Sequence, residues 1–157
     1  MRISVQEEPF DPGAEANAFA QDAEQVGAIV TFTGVVRESD AGTLDVMEIE
    51  HYPGMTEKAI AKIATEASER WSLRDVLVIH RHGSLHPGDR IMMVATASRH
   101  RKDAFEAAEF LMDYLKSQAP FWKKEERTDG TSNWVDARET DTAALQRWQK
   151  SPTKAAE

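Results

Sequence analysis

Hydrophobic residues recur at two spacings along this chain, and the switches between them lay out its elements. Following Asp11-Pro12-Gly13, a short helix is expected near Ala14–Ala23. The run GAIVTFTGVVR, residues 27–37, is rich in β-branched side chains and predicts a strand, with Gly34 marking a bulge or a close backbone approach. Leu44–Tyr52 alternates, with Met47 and Ile49 on one face and Glu48 and Glu50 on the other, and the polar turn ESDAGT before it suggests a hairpin with the preceding strand. Pro53-Gly54 breaks the pattern. From Thr56 to Trp71 the period becomes helical, with Ile60, Ile63, Ala64, Ala67 and Trp71 on one stripe. Val76–His82 and Arg90–Ala97 read as strands around a Gly/Pro-rich loop, Gly83–Asp89.

The stretch SRHRKDAFEAAEFLMDYLKSQAPFWKKE, residues 98–125, organises the rest. Phe105, Ala108, Met112 and Leu115 predict a helix of about four turns that begins near Arg99 and stops before Pro120. Phe121 and Trp122 then open a strand, Asp129-Gly130 turns it, Asn133–Arg138 returns, and a last helix covers Asp141–Gln149. The order ββ-α-ββ-α-ββ-α lacks strict βα alternation, so the expected class is α+β with mainly antiparallel pairing. Residues 1–157 form one domain in this reading, with 1–10 and 150–157 as flexible ends.

Composition narrows the chemistry. There is no cysteine, which removes disulfides, thiolate metal sites and a cysteine nucleophile and suits a reducing cytoplasm. No apolar run approaches the roughly 20 residues of a membrane span, and MRISVQEEPF lacks the basic-then-apolar order of a signal peptide. Net charge is −8, which argues against nucleic acid and anionic membrane as partners. Residues 1–50 carry two basic side chains, Arg2 and Arg37, against eleven acidic ones. An anionic ligand therefore needs a local basic pocket.

Candidates for that pocket are Arg37, His100, Arg101, Lys116, Lys123 and Lys124. Each alone reads as a solvated surface charge. His100 and Arg101, however, fall on a helix N-terminus, where cations are unfavourable unless an anion is bound. Lys123 lies between bulky aromatics and an acidic run. One helix length separates the two groups, so they share a site only if the fold, or a second copy of the chain, brings opposite ends together. A competing constellation is His80 and His82 on one strand face with His86 in the next loop, a set that would make the chain a metal-dependent hydrolase. No acidic residue stands at matching spacing there, and no nucleotide-binding loop, nucleophile elbow or H-E-x-x-H motif occurs.

The segments TFTGVVR (31–37), LDVMEIEHYPGM (44–55), IHRHGSLHPGD (79–89), SRHRKDAFEAAEFLMDYLK (98–116) and PFWKKE (120–125) together resemble the large, catalytic subunits of molybdopterin synthase, the MoaE family. The resemblance implies an α/β-hammerhead fold and a homodimer at the core of a heterotetramer. It implies a small ubiquitin-like sulfur-carrier subunit on each copy, whose C-terminal Gly-Gly tail is activated as a thiocarboxylate. Sulfur passes, twice, to cyclic pyranopterin monophosphate to form the dithiolene of molybdopterin. The family's pocket corresponds to Arg37 with the backbone of Val35 and Val36, to His100 and Arg101, to Lys116, and to Lys123, Lys124 and Glu125. No separate metal or redox cofactor is implied.

On this reading the nucleophile is the partner's ionised sulfur, so a chain without cysteine meets no obstacle. Arg37, His100 and Arg101 anchor the substrate phosphate through charge-assisted hydrogen bonds of ~1.5–3 kcal/mol each. Lys116 stabilises charge at the thiocarboxylate carbonyl, Lys123 holds the pterin and shuttles a proton, and Lys124 flanks them, meeting the tail or the phosphate. An isolated lysine is neutral only about once in ~2,500 molecules at pH 7, so proton transfer calls for crowding by Arg37, Arg101 and the second lysine. The alternative from a different class is a non-catalytic scaffold subunit that holds a phosphorylated ligand in the same basic pocket.

Overall fold

A computed structural model of the chain describes residues 1–136 and 139–149. Eight strands and four helices follow one another as β1 (Arg2–Gln6), α1 (Pro12–Ala18), β2 (Ala28–Val35), β3 (Leu44–His51), α2 (Met55–Trp71), β4 (Asp75–Arg81), β5 (Gly83–Leu85), β6 (Arg90–Ser98), α3 (Arg101–Ser117), β7 (Phe121–Arg127), β8 (Ser132–Val135) and α4 (Glu139–Gln149). They form two four-stranded sheets, ordered β1-β4-β6-β2 and β5-β3-β7-β8. Only the β1–β4 pair is parallel, so the class is α+β and mainly antiparallel, as expected.

Burial explains the first sheet. Every residue of β4 from Val76 to Arg81 and of β6 from Ile91 to Ser98 is buried, because both faces of the sheet are covered. Val76, Val78 and Val94 face the main core with Ile60, Ala64, Ala67, Phe110 and Leu111 of α2 and α3. Leu77, Ile79, Met93 and Ala95 face a second cluster with Phe19, closed by Phe10, Ala16 and Val26. The chain around α1 therefore serves as a cover. Asp11 caps that helix, its carboxylate accepting from the backbone of Gly13 at 2.8 Å and Ala14 at 3.1 Å.

Several expectations need correction. Arg2–Gln6, expected within a flexible end, is an edge strand in register with Leu77–Arg81. The hairpin between the second and third strands does not form: β2 pairs with β6, whereas β3 pairs with β5 and β7 in the other sheet. The loop Gly83–Asp89 contains β5, paired with Met47–Ile49. α1 is shorter than Ala14–Ala23 because the backbone is already extended at Phe19. On α3 the buried face is Ala104, Ala107, Ala108, Phe110, Leu111 and Leu115, while Phe105 of the expected stripe is 62% exposed. Residues 137–138, expected to continue the last strand, and the expected flexible end at 150–157 lie outside the described residues.

Candidate active site

Between the two sheets, at the C-terminal end of α3, lies a pocket of about 610 Å³. β2 and the segment after it, α3, and β7 each bring one cation to it: Arg37, Lys116 and Lys123. Local structure accounts for each placement. Gly34 permits the close crossing of β2 over β6, since a Cβ there would lie 2.9 Å from Met92 Cγ, and the register shifts between Gly34 and Val35. Val36 is then buried and tied to the 86–89 turn: its N–H donates to the Asp89 carbonyl at 2.9 Å, and the Gly88 N–H donates to the Val36 carbonyl at 2.8 Å. Arg37 follows at the pocket wall. Beyond it, the Glu38 carboxylate accepts from the backbone of Leu44 and Ser39, both at 2.8 Å, and these bonds pull its pKa below the usual carboxylate value.

Lys116 stands on the last turn of α3, favourable ground for a cation. The helix stops two residues later, where Gln118 and Ala119 both donate to the Tyr114 carbonyl and Pro120 follows. In β7 successive side chains alternate, so Phe121, Lys123 and Glu125 line the pocket. Lys124 does not. It sits across the strand pair from Trp134 and Glu48, with Nζ 3.9 Å from Glu126 Oε1 and 6.0 Å from the Trp134 ring centroid. Strand alternation thus turns Lys124, expected as a flank of the site, to the face opposite Lys123.

His100 and Arg101 are also separate from this pocket within one chain. They line a groove of about 580 Å³ at the N-terminal end of α3, with Gly27, Arg99, Lys102 and Phe105. A 17-residue helix spans on the order of 25 Å, so Arg101 adds nothing to the crowding around the two lysines of its own chain. His100 occupies the N-cap position without a capping side-chain bond, and its carbonyl accepts from Ser98 Oγ at 2.5 Å. The groove thus combines a helix N-terminus with four basic side chains.

The three histidines of the metal constellation part company. His80 is buried and stacked on Phe121, with ring centroids 3.8 Å apart and planes at 18°. His82 instead meets His51 at 4.2 Å, and His86 Nδ1 lies 3.9 Å from Asp89. Among the described residues no group of three His, Asp or Glu side chains is placed to hold a metal ion. His80 nevertheless belongs to the site, since it lines the basic pocket. Burial above all pulls its pKa down to about 3; its bond to the Arg81 carbonyl opposes the shift, and the charges of Lys123, Lys116 and His82 add to it. Other pocket residues the sequence did not single out are Phe32, Glu38, Met47, Asp136 and Asp141. No local spacing marks Met47, Asp136 and Asp141, because β3, the chain after β8 and α4 reach the pocket only through the tertiary fold, while Phe32 and Glu38 flank Arg37 on β2 and the segment after it.

Among the described residues no helix is long and apolar enough to cross a membrane. The family model described as MoaE protein matches residues 5–118. A molybdopterin synthase catalytic subunit of Cereibacter sphaeroides is 66% identical over 148 residues, covering 94% of this chain and 100% of that protein. The solved structure of a molybdopterin biosynthesis MoaE protein from Burkholderia ambifaria is similar with a TM-score of 0.79 at 53% identity, covering 95% of this chain and 98% of that one. Molybdopterin synthase from Staphylococcus aureus is similar with a TM-score of 0.76 at 34% identity, covering 87% of this chain and 98% of that one.

Proposed function

The chain belongs to the MoaE family, and we propose from that premise that it is the catalytic subunit of a molybdopterin synthase, a sulfurtransferase of molybdenum cofactor biosynthesis. Its fold is the family's α/β-hammerhead, and it works as the homodimeric core of a heterotetramer with a small ubiquitin-like sulfur carrier on each copy. The carrier's Gly-Gly thiocarboxylate delivers sulfur to cyclic pyranopterin monophosphate, twice, and the product is the dithiolene. The reaction runs in the cytoplasm, where a chain without cysteine has no thiol to protect.

One observation carries the reading. In a chain of net charge −8, three cations from distant segments line one pocket that holds no cysteine, so a thiolate-type sulfur nucleophile has to arrive with a partner. Arg37 binds the substrate phosphate beside the backbone of Val35 and Val36, and the His100–Arg101 groove of a second copy completes that grip. Lys116 stabilises charge developing on the thiocarboxylate carbonyl as sulfur leaves it. Lys123 holds the pterin and moves a proton, with Glu125 as the neighbouring acceptor on the same strand face. A narrow, glycine-only tail fits extended-chain recognition at the pocket mouth.

The test is reconstitution. Purified chain mixed with thiocarboxylated carrier and cyclic pyranopterin monophosphate is expected to give dithiolene product. Binding of the phosphorylated pterin without any product would instead favour the non-catalytic scaffold.

A further inference from the structure

His80 is the buried histidine of the pocket lining. It comes from β4, in one sheet, and stacks on Phe121 of β7, in the other, so the two rings join the sheets within the pocket lining. Its Nδ1 lies 2.8 Å from the Arg81 carbonyl. A carbonyl only accepts, so Nδ1 carries the hydrogen. In the neutral ring, Nε2 is then left with a lone pair and can act only as an acceptor. The pocket around it is rich in donors. Lys123 lies two residues beyond Phe121 on the same face of β7, a separation of about 7 Å along a strand, and Lys116 lines the same cavity.

We infer that His80 is a positioning residue of this pocket: its Nε2 accepts a hydrogen bond from the Lys123 ammonium and fixes where that charge sits against the substrate. Burial keeps the ring uncharged at working pH, so the acceptor never turns into a competing cation. Arg81 and His82, the charged or titratable residues that follow it in sequence, do not take this place. The Arg81 guanidinium is turned to the Glu7 carbonyl, at 3.0 and 2.9 Å, and the His82 ring is turned to His51. His80 thus serves the reaction through the lysine, without itself taking a proton from the substrate.

Two substitutions separate this from simple packing. His80→Phe keeps a ring to stack on Phe121 but removes the acceptor; His80→Gln removes the ring and supplies a neutral acceptor. In the sulfur-transfer assay, where the kinetic arm rests on the function proposed above, His80→Phe is expected to lower kcat on the order of 10- to 100-fold, the scale of a misplaced catalytic group, with little change in KM for the pterin. His80→Gln is expected to retain more of kcat than His80→Phe. The reverse order, or full activity of His80→Phe, overturns the inference. A second measurement needs no turnover and no variant at His80. Nitrogen-15 NMR of the wild-type histidine ring should show hydrogen on Nδ1 and a bare Nε2, with the Nε2 signal displaced in Lys123→Ala. A proton on Nε2, or a signal unmoved by Lys123→Ala, refutes the assignment. Absence of product from the wild-type chain would count against the proposed function, whereas the NMR result would still decide the place of His80.

Discussion

Removing the Asp113 carboxylate is predicted to release α4 from α3. That one group, whose side chain is 16% exposed, accepts from Trp148 Nε1 at 2.6 Å and from Arg147 Nη2 at 2.6 Å and Nε at 3.2 Å. Arg147 is 46% exposed, so solvent screening leaves its ion pair worth less than about 1 kcal/mol. The indole N–H is the larger loss. Its ring packs against Trp71 and Phe110 with centroids 5.6 and 5.5 Å away, and a half-buried donor left without an acceptor costs about 1–3 kcal/mol. Alanine at an interior helix position returns ~0.5 kcal/mol of propensity. Asp113→Ala should therefore destabilise by about 1–3 kcal/mol, a fall in Tm of roughly 2–12 °C for a domain of this size. Glu109→Ala, which removes only the exposed arm of the same arginine at 2.9 Å, should cost under about 1 kcal/mol. Thermal unfolding by circular dichroism and hydrogen exchange of the α4 amides measure both. Equal effects of the two substitutions, or α4 exchange in Asp113→Ala as slow as in the wild type, would refute the reasoning. Because Asp141 of α4 lines the pocket, the same variant should also slow sulfur transfer.

Acid should weaken the fold through His80. Its folded pKa of about 3 lies below the ordinary 6.5, so the unfolded chain binds a proton that the folded chain refuses; this stability is full above pH 6.5 and is lost as pH falls towards 3. Between pH 7 and pH 5 the loss is about 2 kcal/mol, and urea unfolding of His80→Gln should show a pH dependence smaller by that amount. An unchanged pH dependence would contradict the burial argument. Gly27→Ala tests the entry to α3: the new Cβ would overlap the Arg99 carbonyl oxygen, a backbone atom that cannot swing away. A loss of about 1–3 kcal/mol in chemical denaturation is expected, and no loss would mean that the 98–100 segment yields freely.

Periodicity identified the long elements because their burial is one-sided or complete. The α2 stripe of Ile60, Ile63, Ala64, Ala67 and Trp71 is buried as its spacing implies. Pairing was less legible. β2 and β3 look like a hairpin because they are adjacent and both alternate, yet what decides their partners is the buried run of β6 on one side and the inner face of β7 on the other. β1 was missed because RISVQ is short and polar at both ends, and only the exposed edge of β4 gives it a place. Arg37, Lys116 and Lys123 line one pocket although they stand far apart in the chain, whereas the strand period turns Lys124 to the face opposite Lys123. His80 was seen as a ligand candidate; its stack on Phe121 unites strands from different sheets, about which local spacing is silent. The distance between the two basic clusters was foreseen, and a single chain does not close it.

The central claim is that the cations inside the pocket, and not positive charge in general, carry sulfur transfer. Single-turnover transfer from thiocarboxylated carrier to cyclic pyranopterin monophosphate, measured for Lys116→Ala and Lys124→Ala side by side, tests it most directly. Lys116→Ala is expected to slow transfer about 100-fold or more, the scale of a lost oxyanion donor, while Lys124→Ala, on the opposite strand face, stays close to the wild type. Near-normal transfer by Lys116→Ala, or equal losses in the two variants, would contradict the account.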